Sequence, residues 1–218
     1  MQTSYRVSWR SEVARFAGFC RDYSQAIIVI ASATVIMVCA ESSNIQWITS
    51  AHIESLMLYG VVPIVLLIVL GNRSLRQLAL QLGDWHFWLP ASVLYLVIAL
   101  PLVYLGIHLQ SVSGYYHNGH FNFGHHIFET SIYLLGWEYF FRGFLIAGLR
   151  RQFSRGAILL QLIPFTLLHL GKPDIETLSC ILSGLAWGYI CYRAQSFWPA
   201  FFMHLIVNIF TVYWVNFA

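Results

Sequence analysis

Residues 136–144 read GWEYFFRGF, a carboxylate and a guanidinium four positions apart inside an otherwise apolar stretch. Four positions is one helical turn, about 6 Å along the axis, so Glu138 and Arg142 share a face and suit an ion pair or a common hydrogen-bond network. Outward from this stretch the sequence stays hydrophobic in both directions, and so does most of the chain. Of 218 residues 58% are hydrophobic and 10% charged, with a mean hydropathy of +0.66, which excludes an ordinary soluble domain. Either charge alone is costly at mid-membrane, and pairing with access to water is the least expensive arrangement.

The expected fold is all-α: a polytopic membrane helical bundle, one integral domain over residues 1–218 with about seven transmembrane helices. The candidate spans are 25–41, 56–71, 89–109, 127–149, 157–170, 178–192 and 198–217. Arg6, Arg10, Arg15 and Arg21 precede the first span, Arg73 and Arg76 follow the second, Arg150, Arg151 and Arg155 the fourth, and Arg193 the sixth. Segments 42–55 and 110–126 hold no Arg or Lys, so the positive-inside rule predicts a cytoplasmic amino terminus and a carboxyl terminus on the opposite side. Arg142 and Lys172 alone depart from the rule. Val38, Cys39 and Ala40 resemble a signal-cleavage site, but the polar leader is long for a signal and the first helix reads as uncleaved. A multi-pass protein of a prokaryotic plasma membrane is the expected localisation.

The modest net charge of +3, with no lysine-rich run, gives no surface for nucleic acid, so the bilayer is the expected environment. Cys20, Cys39, Cys180 and Cys191 form no CxxC pair, and disulfide and zinc-finger readings are weak. The stretch 110–124, rich in Gly, Asn, Tyr and His, reads as an exposed outer loop. The fifth and sixth spans, about 21 to 23 Å long as helices, fall short of the roughly 30 Å hydrocarbon core. Between them HLGKPDIETL, 169–178, breaks helix at Gly171 and Pro173 and adds Lys172, Asp174 and Glu176. Irregular charged backbone below the surface is tolerated where it lines a cavity, so a polar cavity is expected there.

Further polar residues fall inside the spans. His169 lies four residues after Phe165, and His204 and Asn208 share a face of the last span. Each alone suits a structural hydrogen bond between helices. Together with Glu138 and Arg142 they put ionisable groups at compatible depths in three spans, where such groups are functional candidates. HHIFE, with His125, His126 and Glu129, has metal-ligand spacing at the start of the fourth span, and a solvated rim explains it equally well.

This combination resembles the CAAX protease and bacteriocin-processing family of intramembrane proteases, the Abi or type II CAAX endopeptidases, over about residues 130–212. The family's EExxxR motif is similar to Trp137–Gly143, its FxxxH to Phe165–His169, and its HxxxN to His204–Asn208, with 27 and 35 residues from arginine to histidine and from histidine to histidine. The resemblance implies an endopeptidase acting on a membrane-associated or lipidated protein or peptide. It implies that the first glutamate and the second-motif histidine activate water while His204 and Asn208 stabilise the oxyanion. In this chain the first glutamate is replaced by Trp137. Glu138 holds the second-glutamate position, about 100° away around the helix. The water-activating pair is then expected to be His169 with either Glu176 or Glu138, tuned by Arg142 or Lys172. No cofactor is required; a divalent metal is allowed. The alternative is a catalytically inactive homologue serving as a bacteriocin self-immunity factor or membrane scaffold.

Overall fold

The computed structural model describes residues 8–42, 50–72, 74–118 and 122–217. Within them the chain forms α1 (Trp9–Asp22), α2 (Ser24–Glu41), α3 (Ala51–Val69), α4 (Trp85–Gly106), α5 (Gln110–Tyr116), α6 (Phe123–Phe153), α7 (Gly156–Leu167), α8 (Asp174–Ala194) and α9 (Trp198–Phe217). The fold is a polytopic helical bundle. Six helices, α2, α3, α4, α6, α8 and α9, are long and apolar enough to cross a membrane. The expected fifth span is the exception: α7 has 12 residues, about 18 Å, and stops inside the thickness its neighbours cover.

The expected sixth span is longer than its apolar core suggested. Pro173 sits at the N-cap of α8, and Asp174 and Glu176 occupy the first turn, where carboxylates are stabilised by the helix dipole. The irregular segment is therefore confined to residues 168–173, turning at Gly171 with φ +95°. Two further sequence readings change. Residues 110–116 are helical rather than loop, and the polar leader contains α1, whose Trp9, Val13 and Phe16 are exposed beside its arginines. An apolar stripe with interspersed arginines is the pattern of a helix lying at a membrane surface.

The long helix α6 is the axis of the bundle, with α2, α3, α7, α8 and α9 packed around it. Small residues let neighbours close in: a Cβ at Gly136 would sit 2.3 Å from the Ser55 carbonyl oxygen of α3, and one at Gly148 would sit 2.7 Å from Val29 of α2. Such contacts are how helices associate where solvent gives no hydrophobic drive. Ser55 Oγ also donates to the Tyr133 carbonyl at 2.9 Å. On the periphery, α4 leaves Val93, Leu94, Val97, Ile98 and Leu102 exposed, an apolar face suited to lipid tails.

Both α3 and α6 widen into π-helical turns, at Leu56–Val61 and Tyr139–Leu145. The two wide turns meet through Tyr59, whose ring lies 4.9 Å from that of Phe140 and 5.6 Å from that of Trp137. The wide turn in α6 begins immediately after Glu138 and contains Arg142.

The arginine-rich segments gather at one end of the bundle. Arg76 donates to Gln195, Trp198 Nε1 to the Leu80 carbonyl at 3.0 Å, and Gln25 to the Gly148 carbonyl at 3.1 Å. At the other end Asn216 Nδ2 donates to the Tyr116 carbonyl at 3.0 Å. Arg6, Arg73 and residues 43–49 of segment 42–55 lie outside the described residues.

Candidate active site

Glu138 ends the regular part of α6 with a side chain wholly removed from solvent. Its two oxygens divide their partners. Oε1 accepts from Nδ1 of His204 on α9 at 2.5 Å, and Oε2 lies 3.1 Å from Nη1 of Arg142. The guanidinium is itself sandwiched by aromatic faces, 3.8 Å from the Phe165 ring centroid and 5.6 Å from that of Trp187. Desolvated cation–π contacts of this kind offset part of the cost of burying the charge.

A cavity of about 250 Å³ opens above this pair, lined among others by His126, Glu129, Trp137, His169, His204 and Asn208. His169 projects from the turn after α7. Its Nδ1 is 2.7 Å from the Phe165 carbonyl oxygen, which can only accept, so the proton of neutral His169 sits on Nδ1 and the lone pair on Nε2. Thr177 Oγ1 donates to the His169 carbonyl at 2.7 Å, fastening the turn to α8. His204 likewise directs Nδ1 to an acceptor, here a carboxylate, so its Nε2 is left for the cavity and donates there when the imidazole is protonated. Asn208 Oδ1 faces Nε2 of His126 at 2.9 Å, so the Asn208 amide nitrogen is the part of the group not engaged in that contact.

Trp137 and Glu138 face different histidines. The two neighbouring side chains diverge, as adjacent positions on a helix must: Trp137 lies against His169, ring centroids 5.7 Å apart and edge to face, while Glu138 reaches His204. The carboxylate thus belongs to the second histidine, and an indole stands beside the first.

Glu176 lies apart from this group. It is carried on the first turn of α8 rather than on a loop, with Oε1 2.7 Å from Lys172 Nζ and Oε2 accepting from Tyr116 at 2.7 Å. Burial and the neighbouring carboxylate push the Tyr116 phenol well above its ordinary value, which keeps it a donor. Lys172 lines the cavity; Glu176 does not.

At the cavity mouth Glu129 Oε1 takes both His52 Nε2 at 3.0 Å and His125 Nε2 at 2.9 Å. Among the described residues no group of three or more His, Cys, Asp or Glu side chains is arranged to hold a metal ion.

From the sequence, His126 is either one of a set with metal-ligand spacing or part of a solvated rim. The structure makes it a wall of the cavity and the partner of Asn208. The signal was present: His126, Thr130, Tyr133 and Trp137 recur at helical spacing on one stripe of α6. His52 and Tyr116 carried no such signal, because their partners are 77 and 60 residues away.

Residues 127–210 match the family model described as Rce1-like, type II CAAX prenyl endopeptidase Rce1-like. No curated protein and no solved structure matches the chain. The matched residues run from α6 to α9 and hold Glu138, Arg142, His169, His204 and Asn208, so over this region the chain is similar to the Rce1-like type II CAAX prenyl endopeptidase family.

Proposed function

We propose that the protein is an intramembrane endopeptidase that hydrolyses a peptide bond of a membrane-associated or lipidated polypeptide in the cavity between α6, α9 and the turn after α7. The observation that carries this reading is the convergence of His169 and His204, each with Nδ1 committed to an acceptor, on that one cavity. His169 takes a proton from water through Nε2, and the water oxygen bonds to the scissile carbonyl carbon. The resulting oxyanion is met by donors from His204 and the Asn208 amide, and Glu138 balances the charge on protonated His204. The C–N bond then breaks and the proton held on His169 passes to the leaving amine, giving a carboxylic acid and an amine. Arg142 keeps Glu138 ionised and oriented. Glu176, with both oxygens engaged, positions the turn that carries His169.

A second reading, an inactive homologue acting as a bacteriocin self-immunity factor or membrane scaffold, is favoured by one observation: an indole stands where the family's motif puts a glutamate. Purified protein in detergent, offered a library of lipidated and unlipidated peptides, separates the two. Cleavage by the wild type that disappears in His169→Ala and His204→Ala supports the endopeptidase. No cleavage of any peptide, or cleavage that survives both substitutions, supports the scaffold.

A further inference from the structure

A second cavity, of about 380 Å³, opens at the arginine-rich end of the bundle between α2, α6, α8 and the segment after α3. Arg76, Arg142, Arg150 and Arg151 line it, and no Asp or Glu is among its described lining residues. Four arginines gathered around one hollow repel one another, and among the described residues only Arg142 of the four has a carboxylate partner in contact, Glu138 on its far side. Arg142 is also the most buried of the four, and its Nε and Nη2 have no hydrogen-bond acceptor among the described residues. A buried donor left without an acceptor is costly, and such a group marks a place where a ligand is missing. Two of the other arginines are held in place rather than loose: Arg76 donates to Gln195, and the Arg150 guanidinium lies 4.6 Å from the Tyr192 ring centroid.

We infer that this hollow is a binding site for a phosphate-bearing anion, distinct from the histidine cavity and separated from it by the Glu138–Arg142 pair. Planar guanidinium forks match the oxygens of a phosphate group, and the several acceptor oxygens of phosphate can meet several arginines where a carboxylate offers only two. The cavity exceeds many times the roughly 30 Å³ that a water occupies in the liquid, leaving room for a phosphate with its hydration. Basic hollows between helices at the basic side of a membrane protein take the headgroups of anionic lipids, and a soluble phosphate has the same recognising chemistry. Arg142, which contacts Glu138 and lines this hollow, makes the site contiguous with the histidine cluster. Anion binding in this hollow does not require proteolysis.

The test uses the full chain in phosphatidylcholine nanodiscs, with thermal unfolding followed by tryptophan fluorescence. One arm adds inorganic phosphate at constant ionic strength, and the other dopes the discs with phosphatidic acid. A rise in Tm of a few degrees is expected in at least one arm. The rise, referred to each protein's own ligand-free Tm, is expected to vanish in Arg76→Gln/Arg150→Gln/Arg151→Gln and to persist in Arg10→Gln/Arg15→Gln/Arg21→Gln, which removes equal charge from α1. Where the first variant yields no folded protein, Arg150→Gln/Arg151→Gln, which leaves the Arg76 contact with Gln195 intact, takes its place. A rise with free phosphate identifies a soluble ligand, and a rise with phosphatidic acid alone identifies a lipid headgroup. No rise in either arm, or an equal rise in wild type and hollow variants, overturns the site.

Discussion

Glu138 serves two partners at once, so replacing it with glutamine has two separable consequences. The Arg142 charge is left buried without its counter-ion, a change that costs about 3–5 kcal/mol when a buried pair is broken. His204 loses the negative charge that balances its own while an amide oxygen can still accept from its Nδ1, and kcat is expected to fall by about 10²-fold or more with little change in KM. Thermal unfolding and steady-state kinetics on the same preparation read the two effects apart. Trp137→Glu is the converse experiment. It places a carboxylate beside His169 and is expected to raise turnover by about tenfold, some 1.4 kcal/mol in the barrier. A gain with Trp137→Glu and none with Trp137→Gln would identify charge rather than space as the cause. Glu176→Gln is expected to leave turnover within about threefold of wild type, because both oxygens of Glu176 already hold partners. A loss of several orders of magnitude would instead make it the base.

Helix packing at the level of elements is decided by where side chains are absent. The crossing of α3 and α6 has no room for a Cβ at Gly136, which would meet backbone rather than a flexible side chain. Gly136→Leu is expected to destabilise the protein by at least about 1–3 kcal/mol and to shift the adjoining Trp137 off His169. Gly106→Leu is the control. A Cβ there meets nothing within 4 Å, so its unfolding temperature and activity are expected to match the wild type. Equal damage from both substitutions would show that leucine in any helix of this protein is harmful, and would remove the packing explanation. The wide turn in α6 belongs to the same scale. It starts one residue past Glu138, and π-helical turns recur at functional sites because the extra residue re-aims side chains without ending the helix.

For the whole molecule, the positive-inside pattern and the tertiary contacts make the same division of ends. The segments bearing Arg76, Arg150 and Arg193 meet at one pole, while Tyr116, Asn118 and Asn216 meet at the other. Cysteines introduced at Asn118 and at Ser154, in a background with the four native cysteines replaced by serine, are expected to differ in intact cells. A membrane-impermeant maleimide should label Asn118→Cys and spare Ser154→Cys until the membrane is opened. Labelling of both, or of Ser154→Cys alone, would overturn the orientation.

The long apolar helices and their order were readable from the chain itself, because lipid admits few ways to satisfy a backbone and long apolar runs announce themselves by length, whereas α1 and α5, which are short or polar, were not. The short α7 was readable for the same reason, and so was the pairing of Glu138 with Arg142, which lies within one helical turn. The lengthening of α8 was less so: its first turn is charged and breaks the apolar run, and Glu176 is held there by Lys172 and Tyr116, the latter 60 residues away. Which histidine receives the carboxylate was a tertiary decision too. Spacing along α6 sends Trp137 and Glu138 in different directions, but the neighbours they meet, His169 and His204, come from segments 32 and 66 residues away, and no local periodicity encodes contacts made across such distances.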